Sequence, residues 1–111
     1  INSLQQKEGW NTVSIRPGKL DRSPCGTGTS ARLALMKQKN EIDINETFIS
    51  RSIIGSTFEA KIKEEFISNN KQMIKPLIKG SAFITGKQEL YISKDDPFPE
   101  GYRLNDTWPD F

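Results

Sequence analysis

The 111-residue sequence has no histidine and a single cysteine, Cys25. The first absence removes the side chain most often used as a general base or metal ligand near neutral pH. Together the two leave too few soft ligands for a zinc site, and no other metal is expected. One cysteine closes no internal disulfide, so nothing calls for an oxidising compartment, and a free thiol points to the cytoplasm. No apolar run approaches the ~20 residues that cross a bilayer, which argues against a membrane partner. Charge of one sign is also scarce: 16 Lys+Arg stand against 14 Asp+Glu, and the lysines are scattered, not gathered in a stripe with aromatics. A nucleic-acid partner is therefore not expected. Internal repeats and low-complexity segments are missing too. The remaining composition, 34% hydrophobic and 27% charged, is that of an ordinary globular chain of one domain at most.

Against this plain background one segment stands out. Asp21-Arg22-Ser23-Pro24-Cys25-Gly26-Thr27-Gly28-Thr29-Ser30-Ala31-Arg32 sets the cysteine between a proline and a glycine-rich turn, just ahead of a helix-forming run. A helix start offers unpaired backbone N–H groups and the positive end of a dipole, which favour thiolate over thiol and also hold an anion. Glycine is a poor helix former, so Gly26 and Gly28 at such a place imply a close approach to the backbone. Thr27, Thr29 and Ser30 can cap orphan N–H groups or donate hydroxyls, and no acidic residue lies between Gly26 and Lys39. A substrate carboxylate held there would bring its Cα beside the Cys25 sulfur, the geometry for α-proton removal. Asp21, four residues earlier, is placed to pair with an ammonium group. Gly26-x-Gly28-x-x-Ala31 also fits a loose dinucleotide fingerprint, but no βαβ unit follows it, and no Walker lysine follows the glycines.

Around the motif the pattern predicts a strand over Trp10–Ile15 ended by a turn at Pro17-Gly18, then a helix from about Thr29 to Lys39 with Asn40 as its stop. Ala31, Leu33, Ala34, Leu35 and Met36 leave that helix little polar surface, so it is expected to be buried on several sides. Phe58, Ala60, Ile62 and Phe66 alternate with charged residues as a long strand whose apolar face is broken by Glu64. Asn69-Asn70 signals a turn, Met73–Ile78 a strand demoted to an edge by Pro76, and Ser81–Thr85 with Gln88–Ile92 a hairpin about Gly86-Lys87. The turn-rich tail carries Phe98, Tyr102, Leu104, Trp108 and Phe111, large apolar side chains that want cover. The plan is α+β: a strand, the cysteine loop, one helix, then antiparallel strands.

The run Asp21 to Ala34 resembles the second cysteine motif of the proline racemase and hydroxyproline epimerase family. Ser52-Ile53-Ile54-Gly55-Ser56-Thr57-Phe58, Gly80-Ser81-Ala82-Phe83-Ile84-Thr85-Gly86 and Asp96-Pro97-Phe98 resemble its C-terminal landmarks, in order, so that the likeness spans nearly the whole chain. The resemblance implies a racemase or epimerase that uses neither pyridoxal phosphate nor any other cofactor. Its fold would be of the diaminopimelate-epimerase type, two lobes that are each a curled, mostly antiparallel sheet around a central helix. One cysteine per lobe flanks the substrate Cα; one removes a proton as thiolate and the other returns one as thiol. Carried over residue by residue, Cys25 is the second catalytic cysteine, Asp21 a ligand of the substrate ammonium, and Gly26 and Thr27 the backbone cradle of its carboxylate. Related 3-hydroxyproline dehydratases place threonine or serine at the cysteine, so Cys25 favours stereoinversion at proline or a hydroxyproline.

The family's other cysteine motif, followed by glycine and histidine, is absent here. With Ile1 in place of an initiator methionine, residues 1–111 are expected to be the C-terminal part of such an enzyme. Its partners would be the imino acid and the N-terminal half, with a homodimer left open. The alternative from another class is a non-catalytic remnant or binding module that keeps the carboxylate cradle without a second thiol.

Overall fold

The computed structural model describes residues 7–102. Its main sheet has four strands in the spatial order β1-β4-β5-β6, formed by β1 (Lys7–Trp10), β4 (Phe48–Arg51), β5 (Thr57–Ser68) and β6 (Lys71–Lys79). A small antiparallel hairpin, β2 (Ser14–Ile15) with β3 (Lys19–Leu20), precedes α1 (Gly26–Gln38), the one helix among the described residues. The β4–β5 and β5–β6 pairs are antiparallel and β1–β4 is parallel, so the fold is mixed α+β with a mostly antiparallel sheet.

The register follows from local chemistry. Asn69 and Asn70 both adopt positive φ, 50° and 60°, and close β5 onto β6 with Ser68 opposite Lys71. Two such residues are what a type I′ hairpin turn requires, and asparagine tolerates that region better than most. Pro76 lies opposite Ile62 in β6, an edge strand of the described sheet, where proline is tolerated. The register then slips between Ile62 and Glu64, leaving Lys63 as the extra residue of a bulge. The bulge resets the alternation, so Glu65 turns toward the helix and pairs with Lys37 at 3.7 Å while Glu64 meets Lys75 at 3.3 Å on the exposed side. The break that Glu64 makes in the apolar pattern is thus a change of face.

Thr29, Leu33 and Met36 recur at helical spacing and seat α1 on the sheet, where Leu33, Ile42, Phe48, Ala60 and Ile62 form the core with Met36, Ile74 and Ile78 at its margin. Asn40, at φ 57°, follows the last turn and ends the helix as expected.

Four expectations need correction. The strand over Trp10–Ile15 is split: β1 ends at Trp10 and the chain bends before entering the β2–β3 hairpin. The Asn11 N–H still donates to the Arg51 carbonyl at 2.9 Å, and beyond it the chain leaves β4, with the Asn11 side chain turned to the cysteine loop. The helix begins at Gly26, not Thr29, because Cys25 caps it. It is also buried on one face only, with Leu35 49% exposed, since the sheet covers a single side. Finally, the hairpin about Gly86-Lys87 is not formed. Ser81–Ile92 carries no strand, and Phe83 and Ile84 are 87% and 98% exposed. Among the described residues no third strand or layer lies against this segment, and a two-stranded hairpin by itself has too little to bury. In the tail, Phe98 and Tyr102 meet edge to face at 5.5 Å but remain exposed. Leu104, Trp108 and Phe111 lie outside the described residues.

Candidate active site

The cysteine loop connects the β2–β3 hairpin to α1, and a chain of hydrogen bonds holds it. Gly18, at φ 126°, closes the hairpin, and the Asp21 N–H donates to the Val13 carbonyl at 2.9 Å, which fixes where the loop leaves. Asp21 Oδ1 accepts the Ser23 N–H at 2.8 Å, and Ser23 Oγ accepts the Cys25 N–H at 3.0 Å. These are successive short side-chain turns of the kind aspartate and serine favour. From the side, Ser56 Oγ donates to the Arg22 carbonyl at 2.9 Å, and Ser56 is itself held to Ser52, oxygen to oxygen, at 2.6 Å.

At the end of this loop Cys25 takes φ 62° and ψ 120°, a conformation rare outside glycine. Such a residue costs of order 1–3 kcal/mol and persists only where its surroundings hold it, most often at functional positions. The result is that Cys25 Sγ becomes the N-cap of α1 and accepts the Gly28 N–H at 3.4 Å. Among the described residues, the N–H groups of Gly26 and Thr27 have no acceptor, as the first N–H groups of a helix lack partners within it. No acidic residue occupies the first turn to compete for them.

Each sequence-derived site residue can now be placed. Cys25, Gly26 and Thr27 meet at the helix start, with Cys25 half-buried and Gly26 and Thr27 exposed. Asp21 spends one carboxylate oxygen on Ser23; the other has no hydrogen-bond partner among the described residues. Gly26 has open space where a Cβ would stand, so nothing in the described residues requires glycine there. A Cβ on Gly28 would lie 3.0 Å from Val13 Cγ2 and 3.7 Å from the sulfur, so that glycine is set by the chain itself. Ser30 does not serve as a cap; its hydroxyl donates back to the Gly26 carbonyl at 2.8 Å.

Sequence reasoning missed the residues beneath the loop. Asn11 Nδ2 donates to the Pro24 carbonyl at 2.8 Å, Ser50 Oγ donates to Asn11 Oδ1 at 2.6 Å, and Thr29 Oγ1 lies 3.0 Å from Ser50 Oγ and 3.2 Å from the Pro24 oxygen. The one available hint was an asparagine, a poor strand former, inside an apparent strand. A cavity of about 490 Å³ lined by Lys7, Arg32, Leu35, Met36 and Phe48 runs along the other flank of α1; Cys25 does not line it. Among the described residues no group of three or more acidic, cysteine or histidine side chains is placed to hold a metal ion, and no helix is long and apolar enough to cross a membrane.

A lone helix on a mostly antiparallel sheet, capped by a thiol in a strained conformation, defines an α+β protein built around a cysteine at a helix start. The family model for proline racemase matches residues 2–103, and the chain belongs to the proline racemase family. It is similar to the crystal structure of a hydroxyproline epimerase from Agrobacterium vitis with bound trans-4-hydroxy-L-proline, at 34% identity and a TM-score of 0.69. It is similar also to that of a probable proline racemase from Agrobacterium radiobacter K84 with bound carbonate, at 38% identity and a TM-score of 0.70. Each match covers 89% of this chain but only 28% and 29% of those chains, so the sequence spans under a third of their length.

Proposed function

We propose that the chain is the C-terminal part of a cofactor-independent isomerase that inverts the Cα of proline or a hydroxyproline, and that it supplies one of two catalytic cysteines. What carries this reading is Cys25 itself: a strained residue whose sulfur accepts the Gly28 N–H at the start of a helix that leaves the N–H groups of Gly26 and Thr27 free. Those two groups would take the substrate carboxylate, with the helix dipole adding to the attraction. The Agrobacterium radiobacter relative was solved with bound carbonate, which like a carboxylate is a planar oxyanion, and the Agrobacterium vitis relative with bound trans-4-hydroxy-L-proline. The free oxygen of Asp21 would pair with the ring ammonium. With the amino acid so held, Cys25 as thiolate takes the α-proton from one face while a thiol from the other half of the enzyme delivers a proton to the opposite face; in the reverse direction the roles exchange. Each turnover leaves one thiol and one thiolate, so no external acid, base or cofactor is consumed.

The fold we assign is one lobe of a diaminopimelate-epimerase-like pair, in the cytoplasm. The exposure of Phe83, Ile84, Leu90 and Tyr91, four large apolar side chains within nine residues, supports a covering half. The test is α-proton exchange in deuterated water, followed by NMR on the complete enzyme encoded by the surrounding reading frame, with proline and trans-4-hydroxy-L-proline as substrates. Exchange with inversion, abolished by Cys25→Ser, is expected. A complete protein that binds a carboxylate but exchanges nothing would identify a binding module instead.

A further inference from the structure

We propose that Asn11, Ser50 and Thr29 are positioning residues for Cys25, acting through the Pro24 carbonyl; the proposal rests on the reading of Cys25 as a reactive thiol. The three come from separate parts of the fold, just past the end of β1, the middle of β4 and the start of α1, and they close a ring with the Pro24 oxygen. Proton accounting fixes its sense. The single Ser50 proton points to Asn11 Oδ1, which can only accept, so Asn11 must turn its NH2 toward Pro24. The single Thr29 proton is then shared between Ser50 Oγ at 3.0 Å and the Pro24 oxygen at 3.2 Å. Thr29 and Ser50 are both 0% exposed, at positions where an apolar side chain would fill the same volume. Buried hydroxyls cost stability unless fully satisfied, and a fully satisfied network holds one geometry.

The geometry it holds is that of one peptide plane. The Pro24 oxygen is gripped by Asn11 and Thr29, while the Cys25 N–H at the other end of the same plane is gripped by Ser23 Oγ at 3.0 Å. Beyond it the Cys25 carbonyl accepts the Thr29 N–H at 2.9 Å as the first helical bond. With the plane pinned on one side and the helix on the other, Cys25 is kept at φ 62° and its sulfur stays on the Gly28 N–H. Without the ring, the backbone would relax toward negative φ and swing the sulfur away.

Because Cys25 is the chain's one cysteine, alkylation by iodoacetamide reports on it alone. At pH 7 the natural chain should react faster than free cysteine. Thr29→Val and Ser50→Ala should react more slowly than the natural chain by about tenfold, the scale of one hydrogen bond to a charged group, while Thr29→Ser keeps the natural rate. Asn11→Ala, at the half-buried rim of the ring, removes the same carbonyl's donor without opening the core, and covers the case in which a core variant fails to fold by circular dichroism. Folded variants that alkylate as fast as the natural chain would overturn the positioning role alone. A natural chain no faster than free cysteine would remove the reactive thiol, and the proposal with it.

Discussion

Cys25 and Gly28 are joined by a hydrogen bond in which the sulfur accepts the backbone N–H at 3.4 Å, so the residue that caps the helix is also the only thiol in the chain. Sulfur is a weaker cap than the oxygen of serine or aspartate. Its use here, at a strained φ, departs from the local preference for an oxygen cap, a departure expected at functional or strained positions.

The inversion proposed above uses a thiol on each side of the substrate, and this chain carries one. Incubated by itself with proline or trans-4-hydroxy-L-proline in deuterated water, the 111-residue chain is expected to leave the α-proton signal intact. Loss of that signal over hours would show that one cysteine suffices.

Gly26 separates stability from function. A Cβ there meets nothing within 4 Å, and no positive φ is required. Gly26→Ala should therefore raise the unfolding free energy by up to about 1 kcal/mol, the helix-propensity difference. In the complete enzyme it should raise KM, because the methyl group stands where a carboxylate would approach. Denaturant melts and steady-state kinetics on the same variant would test both; an unchanged KM would remove Gly26 from the cradle.

Leu33 is fully buried at the centre of the small core between α1 and the sheet. Leu33→Ala is expected to lower stability by about 2–5 kcal/mol, read from the urea midpoint. Leu35→Ala, on the half-exposed outer side of the same helix, should cost far less in this chain.

The β5–β6 turn offers a conformational test. Asn70 sits at φ 60° as the second residue of a two-residue hairpin loop. Asn70→Gly should stabilise by a few tenths of a kcal/mol, and Asn70→Val should destabilise by about 1–2 kcal/mol, the cost of left-handed backbone for a β-branched residue without asparagine's short polar side chain. Equal melting temperatures for the two variants would contradict the assigned turn.

How far the sequence could be read depended on the range of the interactions involved. The single helix with its Asn40 stop, the Asn69-Asn70 turn, the long β5 strand and the edge position of Pro76 each rest on backbone preferences or on period-2 patterning within a few residues, and each is present in the fold. The cysteine motif was legible for the same reason, since proline, cysteine and glycine adjacent to a helix-forming run declare a helix start by themselves. Only the tertiary structure decided that α1 is buried on one side, that Ser81–Ile92 stays unpaired, and that Lys63 bulges so Glu65 faces the helix. It alone brought Asn11 and Ser50, 39 residues apart, into one hydrogen-bonded ring under Pro24. Burial and long-range hydrogen bonds depend on which surfaces meet, and no local preference encodes that.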